Sequence, residues 1–176
     1  MAKIQPAEVA RGILQRIGSN MPVDLDAVLS LYPITVVLRE MEDDVSGMLV
    51  VKSGRGIIGV NCGHALTRRR FTIAHELGHF LLHLPRVTGT TPAVWVDAGP
   101  VLFRDRRSAD GTDIQEIEAN AFAAELLMPE EAMRERLRRV SVDIQNSEAV
   151  KRMAHEFLVS EAALTVRLTR LGLLNV

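Results

Sequence analysis

Cysteine is almost missing from this chain: Cys62 stands alone among 176 residues. That excludes an internal disulfide framework and suits a reducing compartment. An excess of either charge is missing too, since 21 Lys and Arg against 22 Asp and Glu leave a net charge of −1. No global field then draws the chain to nucleic acid or to an anionic membrane, and any such binding has to be local. No run approaches the roughly eighteen apolar residues of a membrane span. The start, "MAKIQPAEVARGILQRIG", also lacks the apolar core of a signal peptide. Internal repeats and low-complexity segments are absent. A soluble cytoplasmic protein is the expectation. Hydrophobic residues make up 47% of the chain, enough for one well-cored domain with at most a small appendage.

Helical spacing opens the chain. Pro6 is followed by Val9, Ile13, Leu14 and Ile17 up to Gly18, and "PVDLDAVLSLYP" repeats the pattern with Asp24 as cap and Pro33 as stop. From Ile34 the texture turns β-rich, with "ITVVLREM", "SGMLVVKS" and "GIIGVN" separated by the turns "EDDVSG" and "SGRG". A small antiparallel meander is the economical reading. Two short strand candidates, "AVWV" and "VLFR", interrupt the irregular stretch that follows residue 85. Helices are expected over 113–128, from 130 onward in "EEAMRERLRRV", and in the tail segments "SEAVKRMAHEFL" and "SEAALTVRLTRLG".

The stretch 67–84 is the best-patterned helix, with Phe71, Ala74, Leu77, Leu81 and Leu84 at spacings of three and four. It contains His-Glu-Leu-Gly-His at 75–79. Residues four apart on a helix differ by about 40° in azimuth and about 6 Å in rise. His75 and His79 therefore share a face and can meet at one ion. Glu76 lies on the flank of that face, close enough to take a proton from water without itself ligating. This is the arrangement a hydrolytic zinc site requires.

A catalytic zinc takes three protein ligands and keeps a position open for water, so a third ligand is needed. His83 lies about 12 Å along the axis from His75, too far to share the ion, and reads as a histidine that packs beside the metal helix or supports a ligand from behind. His64, in "NCGHALT", has no motif behind it, and His155 reads as a structural residue of the tail. Carboxylates of "EIEANAFAAELLMP" are better placed. Glu116 leads a stripe of Asn120, Ala123 and Leu127, whereas Glu118 shares a face with Phe122 and Glu125, about 200° away. Only one of the two can point at the metal. Glu116 is favoured, because Asn120 one turn later can hold a ligand histidine by its second nitrogen.

At "RRRFTIAHELGHFLLH" and "EIEANAFAAELLMP", in that order, the sequence resembles the ImmA/IrrE-like zinc metallopeptidases, and more weakly so at "PVDLDAVL" and "FLVSEAALTVRLTRLGLL". The resemblance implies an α+β minimal zincin-like fold. A small antiparallel or mixed sheet would pack against the HExxH helix and further helices, with a metallopeptidase domain over 1–138 and a C-terminal helical hairpin over 139–176. It implies one zinc ion held by His75, His79 and Glu116, with Glu76 as general base. It also implies cytoplasmic proteolysis of a narrow protein target, typically a helix-turn-helix repressor encoded nearby. Cleaving such a target switches on a mobile element, a toxin–antitoxin pair or a stress regulon. Longer members carry a C-terminal sensory domain that this chain is too short to include, which puts the trigger of activity in doubt.

Other residues admit several readings. Tyr32, His64, His83 and Arg104 are unranked candidates for an oxyanion stabiliser. "GIIGVN" is a candidate edge strand for an extended substrate, and Cys62 reads as inert. In "RERLRRV" the pairs Glu130 with Arg134 and Glu135 with Arg139 indicate a self-compensating solvated helix. The tail pair, with Arg167 and Arg170, has the shape of a DNA-binding hairpin. Leu164, Leu168, Leu171 and Leu174 demand a core, however, and Glu148, Glu156 and Glu161 would repel phosphate. Direct nucleic-acid binding is not expected. The rival functions are a non-catalytic zinc protein that sequesters a repressor and a DNA-binding regulator acting through the tail.

Overall fold

Pro6 starts the first helix where its missing N–H costs nothing, and helix α1 (Pro6–Ile17) buries Ala10, Ile13 and Leu14 before ending at Gly18, φ 87°. The computed structural model describes residues 5–18, 20–83, 93–98, 111–139 and 147–174. The strand candidate "VLFR" and Arg104 lie outside them. In α2 (Leu25–Leu29) the Asp24 carboxylate caps the first turn, accepting from the N–H groups of Asp26 and Ala27 at 3.0 and 3.1 Å.

The strands are β1 (Ile34–Arg39), β2 (Val45–Lys52), β3 (Arg55–Asn61) and β4 (Ala93–Ala98), in the order β1-β3-β2-β4. Strands β2 and β3 form the expected hairpin. Its two-residue turn, Ser53 and Gly54, has φ of 51° and 75°, the left-handed pair that matches strand twist. The meander reading fails at β1, which pairs with β3 in parallel, Ile34 opposite Gly56 through Arg39 opposite Asn61. The reason lies at Asn61. Its buried amide nitrogen reaches the carbonyls of Met41, Glu42 and Val45 at 3.3, 3.1 and 2.9 Å, so the 40–44 connection is pinned across the end of β3 instead of folding β2 back onto β1.

A second expectation falls with it. "GIIGVN" is not an edge open to substrate, because β3 is hydrogen-bonded to β1 on one side and β2 on the other, leaving no free ladder to extend. Among the described residues, β1 and β4 are the outer strands.

Directly opposed residues share a sheet face. Leu49 and Val51 of β2 thus join Ile58 of β3 in the core, under α3 (Leu66–Leu82), which contributes Phe71, Ala74 and Leu77. Helix α4 (Gly111–Leu127) packs on α3 with Phe122, Ala123 and Leu126, and α1 packs on α4. The result is α+β, one mixed sheet with helices.

Helix α5 (Glu130–Arg139) carries the expected pairs, Arg134 to Glu130 at 2.8 Å and Arg139 to Glu135 at 2.6 Å. Helices α6 (Ser147–Phe157) and α7 (Glu161–Arg170) form the tail pair, with Ser160 capping α7. Leu164 and Leu168 are fully buried, and Leu171 and Leu174 pack against the same core. Arg167 is turned inward. Its guanidinium pairs with Glu125 of α4 and donates to the Met128 carbonyl at 3.2 Å. Arg11 of α1 reaches the same buried carboxylate at 3.3 Å. No helix among the described residues is long and apolar enough to cross a membrane.

Candidate metal centre

The motif helix is buried where its polar residues lie: His75 and Glu76 are 0% exposed and His79 is 1%. Polar groups so deep are costly unless each has a partner. His75 Nδ1 stands 3.0 Å from Asn120 Oδ1 on α4. An amide oxygen only accepts, so Nδ1 carries the proton and Nε2 presents its lone pair. That lone pair faces inward, with His75 Nε2 3.0 Å from His79 Nε2 and the rings edge to face at 78°.

Glu116 closes the cluster. Its Oε2 lies 3.3 Å from His75 Nε2 and its Oε1 lies 3.2 Å from His79 Nε2. One ligand atom from each residue falls within a 4.8 Å span. Two imidazole nitrogens and a carboxylate this close could hold a metal ion among them, and the donor set is one that zinc accepts. Burial by itself would raise the Glu116 pKa, but when the facing nitrogens of His75 and His79 carry protons, their hydrogen bonds and charge hold it well below the usual carboxylate range. It is an anion ready to ligate. With its side chain 16% exposed, Glu116 is also the cluster's most open member, so the site meets solvent on its side.

Two glycines set the distances. Gly78 sits where α3 and α4 cross, and a Cβ there would meet Ala119 Cα and Phe122 Cδ1 at 3.1 Å and the Ala119 carbonyl at 3.2 Å. The missing side chain lets α4 approach closely enough for Glu116 and Asn120 to reach the histidines. Gly47 of β2 underlies the other flank. A Cβ there would stand 2.4 Å from Thr72 Cγ2, 2.8 Å from the Gly59 carbonyl and 3.8 Å from Glu76 Oε1. The Glu76 carboxylate thus lies over bare sheet backbone.

The structure brings His75, His79, Glu116 and Asn120 together and leaves Glu118 out of the cluster; Glu118 faces His83, 3.9 Å from its Nδ1. His64 Nε2 bonds the Asp43 carbonyl at 3.1 Å. Tyr32 sits between α2 and β1, where burial raises its pKa and nearby Arg16 opposes the rise. His155 is exposed on α6, and Cys62 is an exposed free thiol. Sequence reasoning missed both glycines. Gly78 carried a usable signal, since a glycine inside a helix costs about 1 kcal/mol relative to alanine and calls for a packing reason.

Residues 31–169 match the peptidase M78 family, described as the IrrE N-terminal-like domain. A curated relative, "Uncharacterized immunity region protein 2" of Bacillus phage phi105, is 28% identical over 118 residues. The aligned stretch covers 67% of this chain and 65% of that relative, so the chain spans just under two thirds of the relative's length.

Proposed function

The chain belongs to the IrrE N-terminal-like peptidase family, M78, and from that premise we propose that it is a cytoplasmic zinc-dependent endopeptidase. Its substrate is a specific regulatory protein, a helix-turn-helix repressor or antitoxin. The observation that carries this reading is the convergence of His75, His79 and Glu116 beside a fully buried Glu76. The phage immunity-region relative supports looking for the target among regulators.

In this reading His75, His79 and Glu116 hold the zinc, and Asn120 keeps the His75 ring in its ligating tautomer. When bound, the ion supplies Lewis-acid polarisation of the scissile carbonyl and acidifies a water toward a pKa of about 7. Glu76 supplies the proton transfer. Its carboxylate takes a proton as the water oxygen bonds to the carbonyl carbon, and returns it to the amide nitrogen as the C–N bond breaks. Burial over β2 at Gly47 keeps that carboxylate out of bulk water.

The test is co-expression with any small helix-turn-helix protein that a neighbouring reading frame is found to encode. Wild type should cut it. Glu76→Gln, equal in shape but unable to act as base, should cut at least about 100-fold more slowly with metal content unchanged. Cleavage by Glu76→Gln at the wild-type rate would overturn the mechanism. A target bound but left intact by wild type would instead favour the sequestering protein.

A further inference from the structure

His83 is the one histidine of the motif helix that the metal cluster does not use, and it is 1% exposed. As the C-cap of α3 it gives its main-chain N–H to the His79 carbonyl at 3.0 Å. Its side chain crosses to α4. Nε2 stands 3.1 Å from the main-chain oxygen of Gln115, Nδ1 stands 3.9 Å from Glu118 Oε2, and the ring lies against His79 with centroids 5.2 Å apart. A carbonyl only accepts, so Nε2 carries the proton. The oxygen has a second lone pair for the bond inside its own helix.

Both α4 contacts flank Glu116, one residue before it and two after. That placement matters because Glu116 lies near the start of α4 and reaches the cluster from a lever. With its carboxylate about 6 Å from the helix axis, a rotation of about 10° carries the oxygens about 1 Å. The Gly78 crossing and the core side chains Phe122, Ala123 and Leu126 hold α4 from residue 119 onward, whereas the His83 contacts act at the turn that carries Glu116 itself. Ligand sets tolerate about 0.5 Å of error.

We propose that His83 is a positioning residue whose Nε2–H bond to the Gln115 carbonyl sets the rotation of α4 that aims Glu116 at His75 and His79. The proposal rests on reading those three as metal ligands.

Cobalt(II), a spectroscopic stand-in for zinc, tests it on the full chain. His83→Phe keeps a ring against His79 and fills the space, but has no donor. It should bind cobalt about 10- to 100-fold more weakly than wild type, with a weaker visible band as water replaces the carboxylate. His83→Gln places an amide nitrogen near the Nε2 position and should stay within about threefold of wild type. A Phe variant that binds like wild type overturns the proposal, and so does a Gln variant as weak as Phe. If His83→Phe does not fold, nitrogen-15 spectra of the wild type still decide. They should show His83 as the Nε2–H tautomer with a slowly exchanging proton, and the Nδ1–H tautomer would overturn the assignment. Wild type that takes up no cobalt removes the metal centre itself, and His83's role with it; wild type that binds, beside an unimpaired Phe variant, removes only the role of His83.

Discussion

Asn120 and Glu118 show how far single residues could be read in advance. The motif pair and Glu76 follow from their spacing together with their position on a well-patterned helix. The selection of Glu116 follows from helix azimuth, because two glutamates about 200° apart cannot serve one site, and Asn120 marked the inward face. The Asn120 to His75 bond of 3.0 Å gives that reasoning a measurable consequence. Asn120→Ala should weaken metal binding about 10- to 100-fold, and Asn120→Asp, which still accepts, should restore most of it. Cobalt titration checks this, and equal affinity in wild type and Asn120→Ala would show that the bond does not orient the ligand. His83's partner was not legible, since a bond to a main-chain carbonyl leaves no trace in residue identity.

Helices were more readable than strand partners. Residues 6–17, 113–127 and 161–170 fall inside elements whose apolar spacing, caps and stops were visible. Strand alternation gives a face but not a neighbour or a direction. The parallel β1–β3 pair therefore escaped notice, and with it the occupation of both edges of β3. The Asn61 amide that enforces it bonds only main-chain groups. The contact between β2 and α3 can be tested at Gly47. Gly47→Ala puts a methyl 2.8 Å from a carbonyl of the neighbouring strand and 2.4 Å from Thr72, so sheet or helix has to shift. A loss of about 1–3 kcal/mol is expected, read as a lower midpoint in urea with unchanged slope. Cleavage should fall as well, since Glu76 rests on the same spot. Full stability in Gly47→Ala would mean that the α3 layer gives way more easily than its packing implies.

For the molecule as a whole, the buried Glu125 carboxylate ties three helices from distant parts of the chain, through Arg11 of α1 and Arg167 of α7. Arg167→Met should cost about 3 kcal/mol, because it leaves a buried charge poorly compensated. Adding Glu125→Leu should recover most of that loss, since replacing both partners by apolar groups removes the unpaired charge. Urea unfolding of the single and double variants reads both numbers. A double variant no better than the single would place the cost in packing of the arginine stem. The inward use of Arg167 was half legible: the leucine stripe of α7 announced a core face, but the partner carboxylate, Glu125, was visible only as a residue sharing a face with Glu118.

The division of the metal cluster between α3 and α4 bears on timing. Synthesis delivers His75 and His79 first, and Glu116 only after the intervening chain has emerged. Until α4 docks through Gly78, the chain holds two of three donors, too few for the site to form. On the proposed function, metal uptake would then report the docking of α4 on α3. On that same function, a chain released before α4 has docked would be inactive.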